Sequence, residues 1–255
     1  MPSLGHVHVE RVGSVAIVRL DRPPVNAVEL DMGRAAERAL DEALASDPGA
    51  LVLTGTGPCF SAGLDLKVVP LYGPAEQREM VVRANRLLAA LYTCPLPVVG
   101  AVNGHAIAAG LVMALACDLR VGTRGPAKLG LTEARAGIPF PAAAMAIVRA
   151  ELAPAVARTL TLFARNVDAE RAVAFGILDE LQAAAQVLPR ALELAADLAT
   201  IPRGAYARIK AQLRAETSAR LHEIVASGTD PMLASWLDPQ AASASRAVLR
   251  GEGGT

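Results

Sequence analysis

The chain has 255 residues, 53% of them hydrophobic and 20% charged, which is enough for one large core or a core with an appendage. Lysine plus arginine equals aspartate plus glutamate at 25 each, and only 3% of residues are aromatic. That balance excludes a nucleic-acid partner, since it supplies neither a basic footprint nor a stacking platform. Cys59, Cys94 and Cys117 are too few and too far apart for a disulfide framework or a zinc site. They read as small buried hydrophobes of a reducing compartment. The first eight residues carry no basic-then-apolar leader, and no uncharged run is long enough to span a bilayer. The expectation is a soluble cytoplasmic protein with no membrane partner and no metal.

Residues 6–12 and 15–20 alternate or run apolar around Gly13-Ser14, a β-hairpin signature. Asp21-Arg22-Pro23-Pro24 ends the second strand, because proline cannot donate to the ladder. Residues 26–45 turn to helical period, with Leu30, Ala36, Leu40 and Leu44 on one side and Arg34, Glu37, Arg38 and Glu42 on the other. Asp47-Pro48-Gly49 stops this helix. The apolar run 50–53 then breaks at Gly55, Gly57 and Pro58 and continues through Phe60-Ser61-Ala62-Gly63-Leu64-Asp65-Leu66. Backbone N–H groups in such a strand-turn-strand or strand-turn-helix passage are used by neither sheet nor helix. They suit negative charge, here a developing oxyanion.

Residues 74–91 read as a helix of mixed character ended by Cys94-Pro95-Leu96-Pro97. Residues 98–102 are fully apolar, so they read as a strand buried on both faces. Asn103-Gly104-His105 turns into a small-residue helix over 106–117, followed by short strands at 118–123 and 127–131. Residues 132–137 form a loop or short turn carrying Glu133. Ile138-Pro139-Phe140-Pro141 leads into a helix ending at Leu152, and further helices cover 155–163 and 169–176. Beyond Val187 only helices are expected, about 187–200, 206–225 and 231–249, before a frayed tail at 251–255. Strands with helices between them, then helices alone, indicate an α/β core with a helical extension. The extension's apolar faces, Trp236 included, are expected to be buried against the core or a neighbouring subunit.

Several chemistries are excluded by spacing. Gly55-Thr56-Gly57 fails the G-x-G-x-x-G pattern because Phe60 holds the last position, and no G-K-[ST] follows a glycine loop. No G-x-S-x-G elbow occurs, so Ser61, His105 and Asp118 match no hydrolase triad.

Taken together, the segments resemble the enoyl-CoA hydratase/isomerase (crotonase) family over essentially the whole chain. The resemblance rests on Leu20-Asp21-Arg22-Pro23 with Asn26-Ala27, then on residues 60–66. It continues through Pro97-Val98-Val99-Gly100-Ala101-Val102-Asn103-Gly104, Ala109-Gly110 and Cys117-Asp118, and ends with Gly130-Leu131-Thr132-Glu133 and Gly137-Ile138-Pro139. The resemblance implies an α/β spiral of ββα turns over residues 1–195 and a C-terminal helical trimerisation region over 196–255. It also implies a homotrimer or dimer of trimers. The implied substrate is an acyl-CoA thioester, with coenzyme A as part of the substrate and no separate cofactor.

By the same resemblance the amides of Leu64 and Ala109 are the oxyanion-hole donors, and Glu133 is the catalytic carboxylate. Ala27, Ala62, Leu64, Asp65, Leu66 and Gly110 are expected along the coenzyme A path, with Lys210, beside Arg208, offered to its 3′-phosphate. Asp65 is expected to cap its own turn through a side-chain oxygen, Lys67 to be solvated and His105 to pack in a turn. The sequence departs from the two-glutamate hydratases. Val112 stands where their first glutamate falls, alanines replace glycines at Ala108 and Ala109, and Phe140-Pro141-Ala142-Ala143-Ala144 replaces a glycine-rich run. Hydration needs one group to activate water and another to manage a proton, whereas moving a double bond needs one base. The expectation is therefore an enoyl-CoA isomerase. The alternatives are a single-glutamate hydratase and a catalytically silent acyl-CoA-binding protein.

Overall fold

The structure, a computed structural model, describes residues 5–238. The hairpin forms as expected from β1 (Val7–Val12) and β2 (Val15–Leu20), with Val12 opposite Val15. After α1 (Leu30–Ala45) the chain makes three similar turns. The first runs β3 (Ala50–Gly55), β4 (Cys59–Ser61) and α2 (Pro74–Tyr92). The second runs β5 (Val98–Val102), β6 (His105–Ile107) and α3 (Ala109–Leu115). The third runs β7 (Leu119–Thr123), β8 (Leu129–Gly130), α4 (Glu133–Ala136) and α5 (Ala142–Glu151).

In each turn the longer strand joins one sheet and the shorter strand joins another. With β9 (Glu180–Gln182), the first sheet has the order β1-β2-β3-β5-β7-β9, and the second is β4-β6-β8. Every pairing between these strands outside the hairpin is parallel. This is the spiral of ββα turns that the resemblance implies.

Strand alternation divides the large sheet between two cores. Ile17, Val52, Val99, Ala101 and Val121 face α8 (Val187–Leu198), which seats Val187, Ala191 and Ala195 on them. Val18, Leu20, Leu51, Leu53, Val98 and Val102 face the larger cluster that α1, α2, α3 and α5 complete. All five residues of β5 are buried, as its unbroken apolar run requires. The 195/196 boundary falls inside α8, so that helix belongs to the core it covers.

Several elements differ from expectation. The helix over 26–45 starts only at Leu30, because Asn26 adopts φ 50° and Val28 bridges to Leu64 instead of turning helical. The helix expected over 106–117 is divided. His105–Ile107 is a strand between β4 and β8, and Ala108 at φ 53° breaks the chain before α3. The helix over 206–225 is two helices, α9 (Arg203–Leu213) and α10 (Ala215–Ser227). Between them Arg214 is buried, donating to the carbonyls of Tyr92 and Cys117 and stacking 4.0 Å over the Tyr92 ring. The last expected helix is described only as α11 (Leu233–Trp236); the remainder and the tail lie outside the described residues. Between α5 and α8, α6 (Pro154–Thr161) begins one residue before its expected span and α7 (Ala169–Ala174) lies within its own. Among the described residues, no helix is long and apolar enough to cross a membrane.

The C-terminal helices are tied to the core by a buried ion cluster. Asp118 accepts from Val98 N (2.8 Å), Tyr206 Oη (3.0 Å) and Lys210 Nζ (2.7 Å), and pairs with Arg214 at 3.0 Å. Leu221 and Ile224 of α10 are buried, while Ile209 and Leu213 of α9 are exposed.

Gly104 marks the tightest crossing of the two sheets. A Cβ there would lie 1.9 Å from Pro58 O, a backbone atom of the turn between β3 and β4. Gly104→Ala is expected to cost about 1–3 kcal/mol or more through overpacking. A thermal midpoint unchanged from wild type would show that this crossing is loose.

Candidate active site

The turn after β4 is held by a segment that periodicity assigns to a helix. Asn26 is fully buried in a left-handed conformation that asparagine tolerates. Its side-chain amide donates to the carbonyls of Thr56 (3.0 Å), Cys59 (2.7 Å) and Phe60 (3.2 Å), and its Oδ1 accepts from Arg22 N. Ser61 Oγ donates to Asn26 O and accepts from Gly63 N. Arg22 closes the brace with a 2.7 Å ion pair to Asp65 and a hydrogen bond to Ala27 O.

This brace fixes the direction of one N–H. Gly63 O accepts from Val28 N at 2.7 Å, and a trans peptide points its N–H opposite to its carbonyl. The Leu64 N–H therefore faces away from the brace. The same logic applies to the second donor. Ala108 O accepts from Val112 N at 3.1 Å inside α3, so the Ala109 N–H points out of the helix N-terminus, where it has no intrahelical partner. The two segments touch: a Cβ on Gly63 would stand 3.0 Å from Ala109 N and 2.8 Å from Ala108 Cβ. Two N–H groups on touching segments are of the kind that can hold a carbonyl oxygen gaining negative charge.

Leu64 and Ala109 line a cavity of about 350 Å³ together with Ala62, Leu66 and Glu133. Met80, Ala84 and Leu88 of α2 and Trp236 of α11 supply apolar wall. Glu133 opens α4, and its Oε2 is buried with no hydrogen-bond partner among the described residues. Burial pushes its carboxyl from an ordinary 4.5 up to about 8, against a hydrogen bond from its own backbone N–H. It is the cavity's only carboxylate among the described residues.

Val112, where a second carboxylate would stand, is fully buried in the core and contributes nothing to the wall. No group of three or more histidine, cysteine or acidic residues is placed to hold a metal ion among the described residues.

The structure thus brings Glu133, Leu64, Ala109, Ala62 and Leu66 to one cavity. Three expected coenzyme A contacts stand behind it instead. Ala27 is buried with its carbonyl bound by Arg22, and Asp65 is bound through N to Val28 O and through its carboxylate to Arg22 and Lys67 N. Gly110 gives α3 its close approach to β4, where a Cβ would lie 2.2 Å from Ser61 O.

Lys210 lies elsewhere: its ammonium is buried between Asp118 and Leu96 O and lines no part of this cavity. Arg208, its expected companion, is exposed. His105, expected in a turn, opens strand β6 instead, its Nδ1 accepting from Lys128 N. Asn26 and Trp236 were assigned no role in the site from sequence. The wall from α2 had a signal, the i, i+4, i+8 spacing of Met80, Ala84 and Leu88.

The sequence model of the enoyl-CoA hydratase/isomerase family matches residues 10–238. A putative enoyl-CoA hydratase of Thermus thermophilus is 39% identical over 199 residues, covering 76% of this chain and 77% of the relative. Among solved structures, a Mycobacterium tuberculosis protein, called an enoyl-CoA isomerase in one structure and a probable enoyl-CoA hydratase in another, is similar at TM-scores 0.81 and 0.82 and 31% identity, over 88% of this chain and 97% and 94% of the other. Human mitochondrial Δ3,Δ2-enoyl-CoA isomerase is similar at TM-score 0.87 and 26% identity, over 97% and 98%. The chain belongs to the enoyl-CoA hydratase/isomerase family, and its fold is the crotonase fold of these neighbours.

Two substitutions in the donor segments should act with opposite sign. Ala108 has φ 53°, a conformation that costs a residue with a Cβ about 1–3 kcal/mol. Ala108→Gly should therefore raise the thermal midpoint, and a fall would mean that the surroundings do not impose the strain. Gly63, at φ 78°, has no room for a Cβ, so Gly63→Ala should lower the midpoint and weaken acyl-CoA binding together. Asn26→Asp should lower the midpoint further, since it aims a carboxylate at three carbonyls and removes their donor. Retention of wild-type stability in Asn26→Asp would refute the brace.

Proposed function

We propose that the protein moves the double bond of a 3-enoyl-CoA to the 2-position, with Glu133 as the sole proton carrier. The observation that carries this reading is a single buried carboxylate in a mostly apolar cavity that Leu64 and Ala109, with outward-facing N–H groups, also line; Thr132, Arg135 and Asn166 are its other polar side chains. Ionised Glu133 takes a proton from C2, and the C2–H electron pair forms the C1–C2 double bond as the carbonyl π pair moves onto oxygen. The Leu64 and Ala109 N–H groups hold that oxygen. Each such donor is worth about 3–4 kcal/mol in measured oxyanion holes. The carbonyl re-forms, the C2–C3 double bond forms, and the C3–C4 π pair takes the proton back from Glu133 at C4. No water and no second carboxylate is required.

The name of the Thermus relative favours hydration instead. Against that reading stands the absence of a second carboxylate, among the described residues, to orient a water molecule. The proposal includes the implied homotrimer or dimer of trimers, for which exposed Ile209 and Leu213 on α9 are available apolar groups.

Glu133→Gln should lower isomerisation of a 3-enoyl-CoA by about 10²–10⁴-fold while acyl-CoA binding persists. Undiminished turnover in this variant would remove Glu133 from the reaction. Hydration of crotonyl-CoA faster than isomerisation would replace the isomerase reading with the hydratase one. Binding without turnover on either substrate would favour the silent binder.

The pH dependence follows from the same carboxyl. Glu133 must be ionised to act, so kcat/KM should rise with pH and level off above about 8. For stability, a carboxyl whose pKa is raised on folding opposes the fold once it ionises. The native state should therefore lose stability between about 4.5 and about 8, and Glu133→Gln should flatten that slope.

A further inference from the structure

The cavity changes character from one side to the other. Its exposed lining residues, Arg135 and Asn166, are polar, so that side opens to solvent. Met80, Val81 and Leu88 of α2, with Ile138, Ala144 and Trp236, are buried and apolar.

Behind that apolar wall lies a buried polar seam. Asn85 of α2 accepts from Ala143 N at the start of α5 (3.0 Å) and donates to Asp230 (2.8 Å). Asp230 also accepts from Ala142 N (2.8 Å) and Met232 N (2.7 Å), which ties the segment before α11 to both helices. Asn85, Ala143 and Asp230 are each at most 4% exposed. Buried polar groups satisfied in this way rigidify what surrounds them.

Ala84 and Ala144 stand next to the seam's own residues, Asn85 and Ala143, and both line the cavity. On α2, Ala84 lies about one turn from Met80 and from Leu88, a short side chain between two long ones. Two alanines at this point leave a notch between α2 and α5, with the seam as its floor.

We propose, resting on the acyl-thioester reading above, that this notch takes the far end of the acyl chain and that the seam sets a ceiling on its length. The substrate is then a medium-chain acyl thioester. An apolar cavity of about 150 Å³ holds one benzene, so one of about 350 Å³ holds on the order of fourteen carbon-sized groups, the thioester's own included. That puts the ceiling at roughly ten to twelve acyl carbons. A longer chain does not push through the floor, because parting the seam would leave its buried donors and acceptors unpaired.

Titration calorimetry of the full chain with unreactive saturated thioesters, from butyryl-CoA to palmitoyl-CoA, tests this. Affinity should rise with length, by at most about fourfold per methylene, and stop rising at roughly ten to twelve carbons. Palmitoyl-CoA should bind no more tightly than dodecanoyl-CoA. Ala144→Leu fills the notch, so the ratio of dodecanoyl-CoA to butyryl-CoA affinity should fall about tenfold or more. Ala84→Val enters the notch from the other helix and should lower the same ratio, which serves if Ala144→Leu does not fold.

An affinity that still climbs from dodecanoyl-CoA to palmitoyl-CoA in wild type overturns the ceiling. A ratio unchanged in a folded variant overturns the notch. Failure of every thioester to bind overturns the acyl-thioester reading as well, a result distinct from binding without a length limit.

Discussion

The hydrogen bond from Val28 N to Gly63 O is the constraint on which the site depends. It sets the plane of the Gly63–Leu64 peptide and thereby turns the Leu64 N–H away from the supporting chain. Its strand-like geometry requires residues 22–28 to stay extended or tightly turned, which is why α1 cannot begin before Leu30. Asn26, Arg22 and Ser61 each bind across this seam. A residue with a side chain at 63 would push the brace and the start of α3 apart, separating the two N–H groups. Local helix periodicity gives way here to a longer-range requirement.

The three site elements share one origin in the fold. Leu64 follows β4, Ala109 follows β6 and Glu133 follows β8, the three strands of the small parallel sheet in their spatial order. Neighbouring parallel strands lie about 4.8 Å apart and end on the same side. Each ββα turn therefore delivers one group to one edge, and ligands in open parallel sheets collect beyond the carboxyl ends of the strands. The large sheet contributes no residue to this cavity's wall. It gives the small one a rigid backing, through crossings such as Gly104 against Pro58.

What the sequence discloses follows from the length of each signal. The hairpin and the unbroken apolar run of β5 are legible because several residues repeat one pattern. Cys59–Ser61, His105–Ile107 and Glu180–Gln182 are three-residue strands, too short for a period to show, and their pairing comes from neighbours far along the chain. The division at Arg214 is invisible for a different reason, since its partners, Tyr92 and Cys117, lie about a hundred residues away. Leu64, Ala109 and Glu133 were legible only through motif order, because no local pattern marks a free N–H or an unpaired carboxylate. For Lys210 the same route gives the helix but not Asp118 opposite it.

Two carboxylates taken from water in this protein have opposite surroundings, and the contrast bears on the chemistry. Asp118 meets Lys210, Arg214, Tyr206 and a backbone N–H, so its charge is matched and its role is to hold helices to the core. Glu133 is governed by burial, relieved only by a hydrogen bond from its own amide, so ionisation is disfavoured and the proton is held up to about pH 8. In the proposed reaction that shift works in two directions. At neutral pH the carboxyl is mostly protonated, yet the ionised form is a stronger base than a solvated glutamate. The protonated form, once made, is a stable carrier that does not lose its proton to water before C4 presents itself. A second carboxylate in this wall would raise this pKa further by like-charge repulsion and give water a partner, and the proposed transfer from carbon to carbon needs neither.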